Sequence, residues 1–134
     1  MIFNTNQIFK YVTYEKDVYS WYFVFDNRTS FYFSAFWRLL ENKKIKLVSL
    51  DHGHIFGLPK PVDLVERLTA ELNGKSLIEI NVKQNTCDLL LTLTDNIQIE
   101  IFISSSGYET YNFSFENKDY FGLGGGEIEI TDSK

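Results

Sequence analysis

Residues 97–103 read Ile-Gln-Ile-Glu-Ile-Phe-Ile, and that alternation admits few structures. Side chains on a strand point alternately to opposite faces, so Ile97, Ile99, Ile101 and Ile103 share one side while Gln98 and Glu100 take the other. Such a segment buries one face and wets the other, the habit of antiparallel sheets. The same period returns at residues 109–116, where Tyr111, Phe113 and Phe115 oppose Thr110, Asn112 and Ser114. Residues 76–83 place Ile78, Ile80 and Val82 together, and residues 87–94 do so with Leu89, Leu91 and Leu93. Asp95-Asn96 between two such runs is a two-residue hairpin turn.

The first third reads as strands too. Residues 8–14 are apolar, β-branched or aromatic. Residues 19–25 (YSWYFVF) are apolar on both faces and read as a central strand covered on both sides. Asp26 to Thr29 turns the chain. Residues 30–40 read as one long strand with Phe31, Phe33, Ala35 and Trp37 on one face, and residues 45–50 as the next. A last short strand is expected at 127–130. The composition agrees: 12 Phe, 8 Tyr and 2 Trp suit a pleated, half-buried surface.

One window breaks the pattern. In residues 61–73 (PVDLVERLTAELN), Leu64, Val65, Leu68 and Leu72 form one apolar stripe at helical spacing. Pro61 suits the first turn, Asp63 the positive end of the helix dipole, and Gly74 the left-handed residue just past the end. The expected fold is therefore one α+β domain over residues 1–134. It is a mainly antiparallel, strongly curved sheet of eight or nine strands, with one central helix at 61–73 packed on it.

The net charge is −5, from 18 acidic and 13 basic residues. A phosphate backbone would be repelled unless a basic stripe offset this, and Lys43-Lys44-Lys46 reads only as a solvated hairpin end. Nucleic acid is thus excluded as the expected partner, whereas a basic protein would be attracted. No apolar run is long enough to span a membrane, and the first residues do not read as a secretory signal; the expected location is cytoplasmic. The lone Cys87 makes neither an internal disulfide nor a zinc site, and reads as a small buried hydrophobe in a strand.

Chemistry could sit on two loops. The first, residues 51–59, holds Asp51, His52 and His54, with Gly53, Gly57 and Pro59 shaping the backbone. The second, residues 104–109, holds Ser105, Ser106 and Gly107 before Tyr108 and Glu109. Asp51, His52 and His54 are metal-ligand types, but zinc sites usually add a Cys or a distant ligand, and no metal or other cofactor is expected. Ser105 or Ser106 with His52 and Asp51 would supply the residue types of a catalytic triad. The strand–Ser–helix elbow is missing, so no enzyme is expected. Gly124-Gly125-Gly126 leads into a strand rather than a helix, which argues for a tight loop with Gly125 at its centre and against a phosphate cradle. Glu127 and Glu129 read as charges guarding a sheet edge. Tyr19, Trp21, Phe31, Phe33 and Trp37 read as core, with an open aromatic pocket as the alternative.

Several short motifs recur together from Trp37 onward: Trp37-Arg38, Asp51-His52-Gly53, Phe56-Gly57-Leu58-Pro59, Pro61-Val62-Asp63, Asp88-Leu89, Ser105-Ser106-Gly107-Tyr108-Glu109 and Gly124-Gly125-Gly126. In this pattern the chain resembles a bacterial family of uncharacterised small immunity-like proteins. Cys87 departs from the pattern, which favours a small residue there, often glycine. Residues 1–36 carry no part of the resemblance. What the resemblance implies is an association with toxin–immunity systems: a cytosolic binding protein, monomer or homodimer, that neutralises a cognate toxin by protein–protein contact. Asp51, His52, His54, Tyr108 and Glu109 are the candidate contacts. The alternative is a small-ligand or metal-binding module that uses the 51–59 and 104–109 loops.

Overall fold

The computed structural model describes residues 1–133. Eleven strands form one continuous ladder, with every neighbouring pair antiparallel. They are β1 (Ile2–Glu15), β2 (Ser20–Phe25), β3 (Ser30–Phe33), β4 (Trp37–Glu41), β5 (Lys44–Val48), β6 (Ser76–Val82), β7 (Leu89–Leu93), β8 (Ile97–Ile101), β9 (Tyr111–Phe115), β10 (Lys118–Leu123) and β11 (Glu127–Asp132). One helix, α1 (Leu64–Leu72), lies between β5 and β6. The strand order is β11-β10-β9-β3-β2-β1-β6-β7-β8-β4-β5.

β1 joins two leaves. Its first half, Ile2 to Ile8, pairs with β6, and its second half, Phe9 to Glu15, pairs with β2. The register slips once on each side, as a strand that bends between two sheets requires. At the change of leaf the Ile8 N–H leaves the ladder and donates to Asp26 Oδ1 at 2.9 Å, so it is not orphaned. The first leaf is β1-β6-β7-β8-β4-β5, and the second is β1-β2-β3-β9-β10-β11. Their inner faces share one core. Trp37 of β4 packs edge-on against Trp21 of β2 at 5.1 Å, and Phe3 of β1 reaches Phe115 of β9 at 5.5 Å.

The expectation of eight or nine strands around a central helix is corrected: this is a sheet-rich fold of eleven strands with one short helix. Two differences account for the count. Residues 30–40 are two strands, because the chain crosses from one leaf to the other at Ser34–Phe36. A second crossing, between β8 and β9, runs beside it: Ser34 N–H donates to the Thr110 carbonyl at 3.1 Å, and Phe102 N–H to the Phe36 carbonyl at 3.0 Å. Residues 118–123, to which no strand is assigned from the sequence, form β10.

The helix is nine residues rather than the expected 61–73. Pro61 and Val62 lie outside the helix, and Val62 exchanges hydrogen bonds with the loop before it: Gly53 N–H to the Val62 carbonyl and Val62 N–H to the His54 carbonyl, both 2.8 Å. Asp63 is the N-cap, its carboxylate accepting Glu66 N–H at 3.1 Å. Leu64, Leu68 and Leu72 are buried, and α1 packs against β1. Gly74 takes φ +76, as a residue past a helix end does. A helix this short is marginal alone, so its three leucines hold it in place.

Two smaller expectations also change. Beyond Ser20, β2 is fully buried on one face only; Tyr22 and Val24 are half-buried on the outer face. There Tyr22 packs edge-on between Tyr11 and Tyr32, so aromatic neighbours cover one another without a second layer. Cys87 is buried but lies in the turn before β7, at φ +62. That left-handed backbone is what favours glycine at such a position.

Candidate functional site

The two loops singled out in the sequence do different things. The first, from the short 3-10 turn Ser49–Asp51 to Pro61, is pinned at its base and exposed at its tip. His52 N–H donates to the Ser49 carbonyl at 3.2 Å and His54 N–H to the Asp51 carbonyl at 3.1 Å. The His52 ring turns inward. Its Nδ1 accepts the backbone N–H of Leu64, the first helical residue, at 3.0 Å. A helix start leaves its first N–H groups without partners, and here one is satisfied by an imidazole twelve positions upstream. The ring also packs edge-on against Tyr14 (4.7 Å) and Trp21 (5.1 Å). Burial lowers the His52 pKa below its ordinary value, with the Asp63 charge opposing that shift more weakly. His52 is therefore a neutral imidazole with its proton on Nε2.

His54 stacks on Phe56, with ring centroids 5.3 Å apart. Asp51, His52 and His54 do not form a metal-ligand cluster. Among the described residues no group of three or more His, Cys, Asp or Glu side chains is close enough to hold a metal ion.

A cleft of about 670 Å³ opens where the two crossings meet this loop. Tyr14, Trp21, Phe36, His52 and His54 line it, and Val18, Tyr19 and Leu50 form its mouth. At that mouth, and along the loop beyond His54, large apolar side chains face solvent. Tyr19 is 74% exposed and Phe56 64%, and Val18, Leu50, Ile55 and Leu58 are also exposed. Tyr19 and Phe56 both have positive φ, +51 and +47. That backbone region is costly for bulky residues and concentrates at binding sites. Exposed apolar clusters of this kind mark interaction sites.

The second loop meets the cleft only at Ser104. Ser105 Oγ accepts Tyr108 N–H at 3.0 Å and Gly107 N–H at 3.3 Å, a turn closed by its own hydroxyl. The rest of this loop interlocks with the three glycines between β10 and β11. A Cβ on Gly124 would overlap the backbone of Ser106 and Gly107, and one on Gly126 would overlap the Asn85 carbonyl oxygen. Cys87 Sγ donates to the Gly126 carbonyl at 3.1 Å, and the Tyr111 hydroxyl donates to the Cys87 carbonyl at 2.9 Å. Burial raises the pKa of both the Cys87 thiol and the Tyr111 hydroxyl, so both stay protonated. Ser105, Ser106, Gly107 and Gly125 thus belong to a packed junction. Tyr108, 80% exposed, and Glu109 lie at its edge; Glu109 lines a hollow that shares Val18 and Ser34 with the cleft.

Sequence reasoning missed the exposed apolar set. Tyr19, expected as a core residue of the 19–25 strand, and Leu50, expected to end the 45–50 strand, both lie outside the strands and are exposed, while Val18, Ile55 and Leu58 drew no functional expectation. The signal was present: Leu50, Ile55, Phe56 and Leu58 lie in or beside a loop too rich in glycine and proline to bury them. The Trp37-Arg38 pair is structural. Trp37 is fully buried, and Arg38 pairs with Glu100 at 2.6 Å while lying over the Phe102 ring. Among the described residues no helix is long and apolar enough to cross a membrane. Compared with protein-family models, with curated proteins and with solved structures, the chain matches none.

Proposed function

We propose that this chain is a protein-binding module of the immunity type, which neutralises a cognate toxin domain by covering part of its surface. The observation that carries the reading is the exposed apolar set of Val18, Tyr19 and Leu50 at the cleft, continued along the same loop by Ile55, Phe56 and Leu58, with Phe56 stacked on His54 of the lining. Two aromatic anchors beside a hollow have the make-up of a binding hot spot. Asp17, Asp51 and the net charge of −5 favour a basic partner surface and speed its approach. Asp51 and His54 are rim contacts in this reading. His52 instead holds the loop to the helix from below, and Tyr108 and Glu109 lie on the flank.

The test is co-purification with the product of the adjacent gene, alongside rescue of growth when that product's C-terminal domain is expressed. Complex formation with rescue supports the proposal; neither complex nor rescue sinks it. Within a complex, Phe56→Ser should weaken binding at least roughly tenfold, about 1.4 kcal/mol. A second reading, a small apolar ligand in the cleft, draws on the Tyr14, Trp21 and His52 rings that line it. It would show as a rise in Tm with a small aromatic compound and no effect of Phe56→Ser on growth rescue.

A further inference from the structure

The outer face of the second leaf carries a feature unrelated to the cleft. Strand register aligns Val24, Ser30, Ser114, Asp119 and Thr131 side by side across β2, β3, β9, β10 and β11. These side chains are small or polar. The next row along the strands is tall: Tyr22, Tyr32, Asn112, Phe121 and Glu129. A low row beside a high row makes a trough, and the second wall comes from the turn residues Arg28 and Asn117 and from Ser133. The groove has a volume of about 780 Å³. Four strand spacings make it about 19 Å long, running across the strands.

The chemistry of the trough is that of hydroxyl recognition. Asp119 Oδ1 already accepts Ser114 Oγ at 2.6 Å and Ser133 Oγ at 2.9 Å, while its Oδ2 has no protein partner among the described residues. Arg28 makes no ion pair among the described residues, so its guanidinium is available at the rim. Thr29, which lines the groove, is 1% exposed, and its Oγ1 is buried without a hydrogen-bond partner. A buried hydroxyl without a partner is unusual and costs free energy. Donors, acceptors and one carboxylate thus alternate along the floor, beside the Tyr22 ring.

We propose that this trough binds a linear saccharide, its hydroxyls paired with Asp119, Ser30, Thr131 and Arg28 and one sugar face laid on Tyr22. Other ligand classes fit worse. A phosphate-rich chain would meet Asp119 and Asp132 in a lining whose one cation is Arg28, with Lys118 already paired to Asp132. An apolar ligand would strand the hydroxyl floor without partners. A peptide strand seeks a free sheet edge, and this is a sheet face.

The test is an amide NMR titration of the full chain with cellotetraose, maltotetraose and chitotetraose, each to about 10 mM, a range suited to weak binding. The expected result is that at least one sugar shifts the amides of Ser30, Ser114, Asn117, Asp119 and Thr131 and leaves residues 51–59 unmoved. Ser114→Val, which places a strand-favouring β-branched residue there but removes the hydroxyl and fills the floor, should weaken that binding roughly tenfold while the rest of the spectrum is unchanged. No shift with any of the three sugars overturns the proposal. So do shifts confined to other surfaces, and so does undiminished binding by Ser114→Val with an otherwise native spectrum.

Discussion

The loop at 51–59 and the junction of 104–107 with 124–126 both depend on glycines, Gly53 and Gly57 in the first and Gly107 with Gly124 to Gly126 in the second. Space separates them. A Cβ on Gly53 or Gly57 would meet nothing within 4 Å, whereas one on Gly124 or Gly126 would run into backbone. The first region spends its glycines on bending a loop so that Phe56 and its neighbours face solvent. The second spends them on bringing three backbone segments into contact. Glycine content therefore reports two opposite things, presentation and closure, and only the surroundings of each Cα tell them apart.

The comparison can be broken most directly at the glycines. Gly126→Ala combines a left-handed φ of +83 with overlap on the Asn85 carbonyl. The expected loss is about 3 kcal/mol or more, since left-handed strain and overpacking add. Gly53→Ala carries only the backbone strain and should cost about 1 kcal/mol. Equal urea midpoints for the two variants would show that the junction is not closed as described.

The next effect is at the base of the presenting loop. His52→Ala removes the acceptor for Leu64 N–H together with the ring contacts to Tyr14 and Trp21, and should cost about 1–3 kcal/mol. Asp63→Ala, which removes only the cap on Glu66, should cost about 1 kcal/mol. His52 also sets a pH dependence. Its pKa in the folded protein is lowered, while in the unfolded chain it stays at about 6.5. Above that pH both states carry neutral imidazole and the contribution is complete. As the pH falls below 6.5 and through the folded value, the unfolded chain takes up a proton that the folded one resists, and stability is lost. Urea midpoints measured from pH 7.5 down to 5 should fall in the wild type and fall less in His52→Asn, whose amide oxygen can accept the same N–H.

The smallest effect is expected at Cys87. Glycine there would relieve the φ of +62 but lose the buried Sγ, and the two should cancel to within about 1 kcal/mol. Valine, β-branched at the same φ, should be clearly worse. A native-like valine variant would show that the turn is softer than its hydrogen bonds imply.

Much of the sheet was legible because its signal is local. The Ile97–Ile101 alternation, the leucine stripe of α1 and the Asp95-Asn96 turn, with φ +62 and +61, all follow from neighbours in sequence. β10 was hidden by Gly122. That position faces the core and would ordinarily be apolar, but the Tyr111 ring occupies the space a side chain would need. The break at Ser34–Phe36 is dictated by where the leaves cross, which no window of sequence contains. The role of His52 was illegible for the same reason, because its partner is an N–H made available only once α1 has formed. Of the candidate site, the 51–59 loop was found by its composition. Its pairing with 104–109 was not realised beyond Ser104, because the serines are drawn toward Gly124–Gly126 instead.

The strand that serves both leaves also sets a timetable. Most of the first leaf comes from the unbroken stretch between β4 and β8, whose hairpins can close early and locally. The second leaf must wait for opposite ends of the chain, because Ser30 pairs with Ser114 and β11 is the last strand made. During synthesis, the β1-β2-β3 meander can therefore form first, with the outer edge of β3 unpaired until β9 arrives. The wet outer row of serines and the tyrosine ladder give those waiting strands one soluble side, a safeguard against self-association that acts before the native state exists.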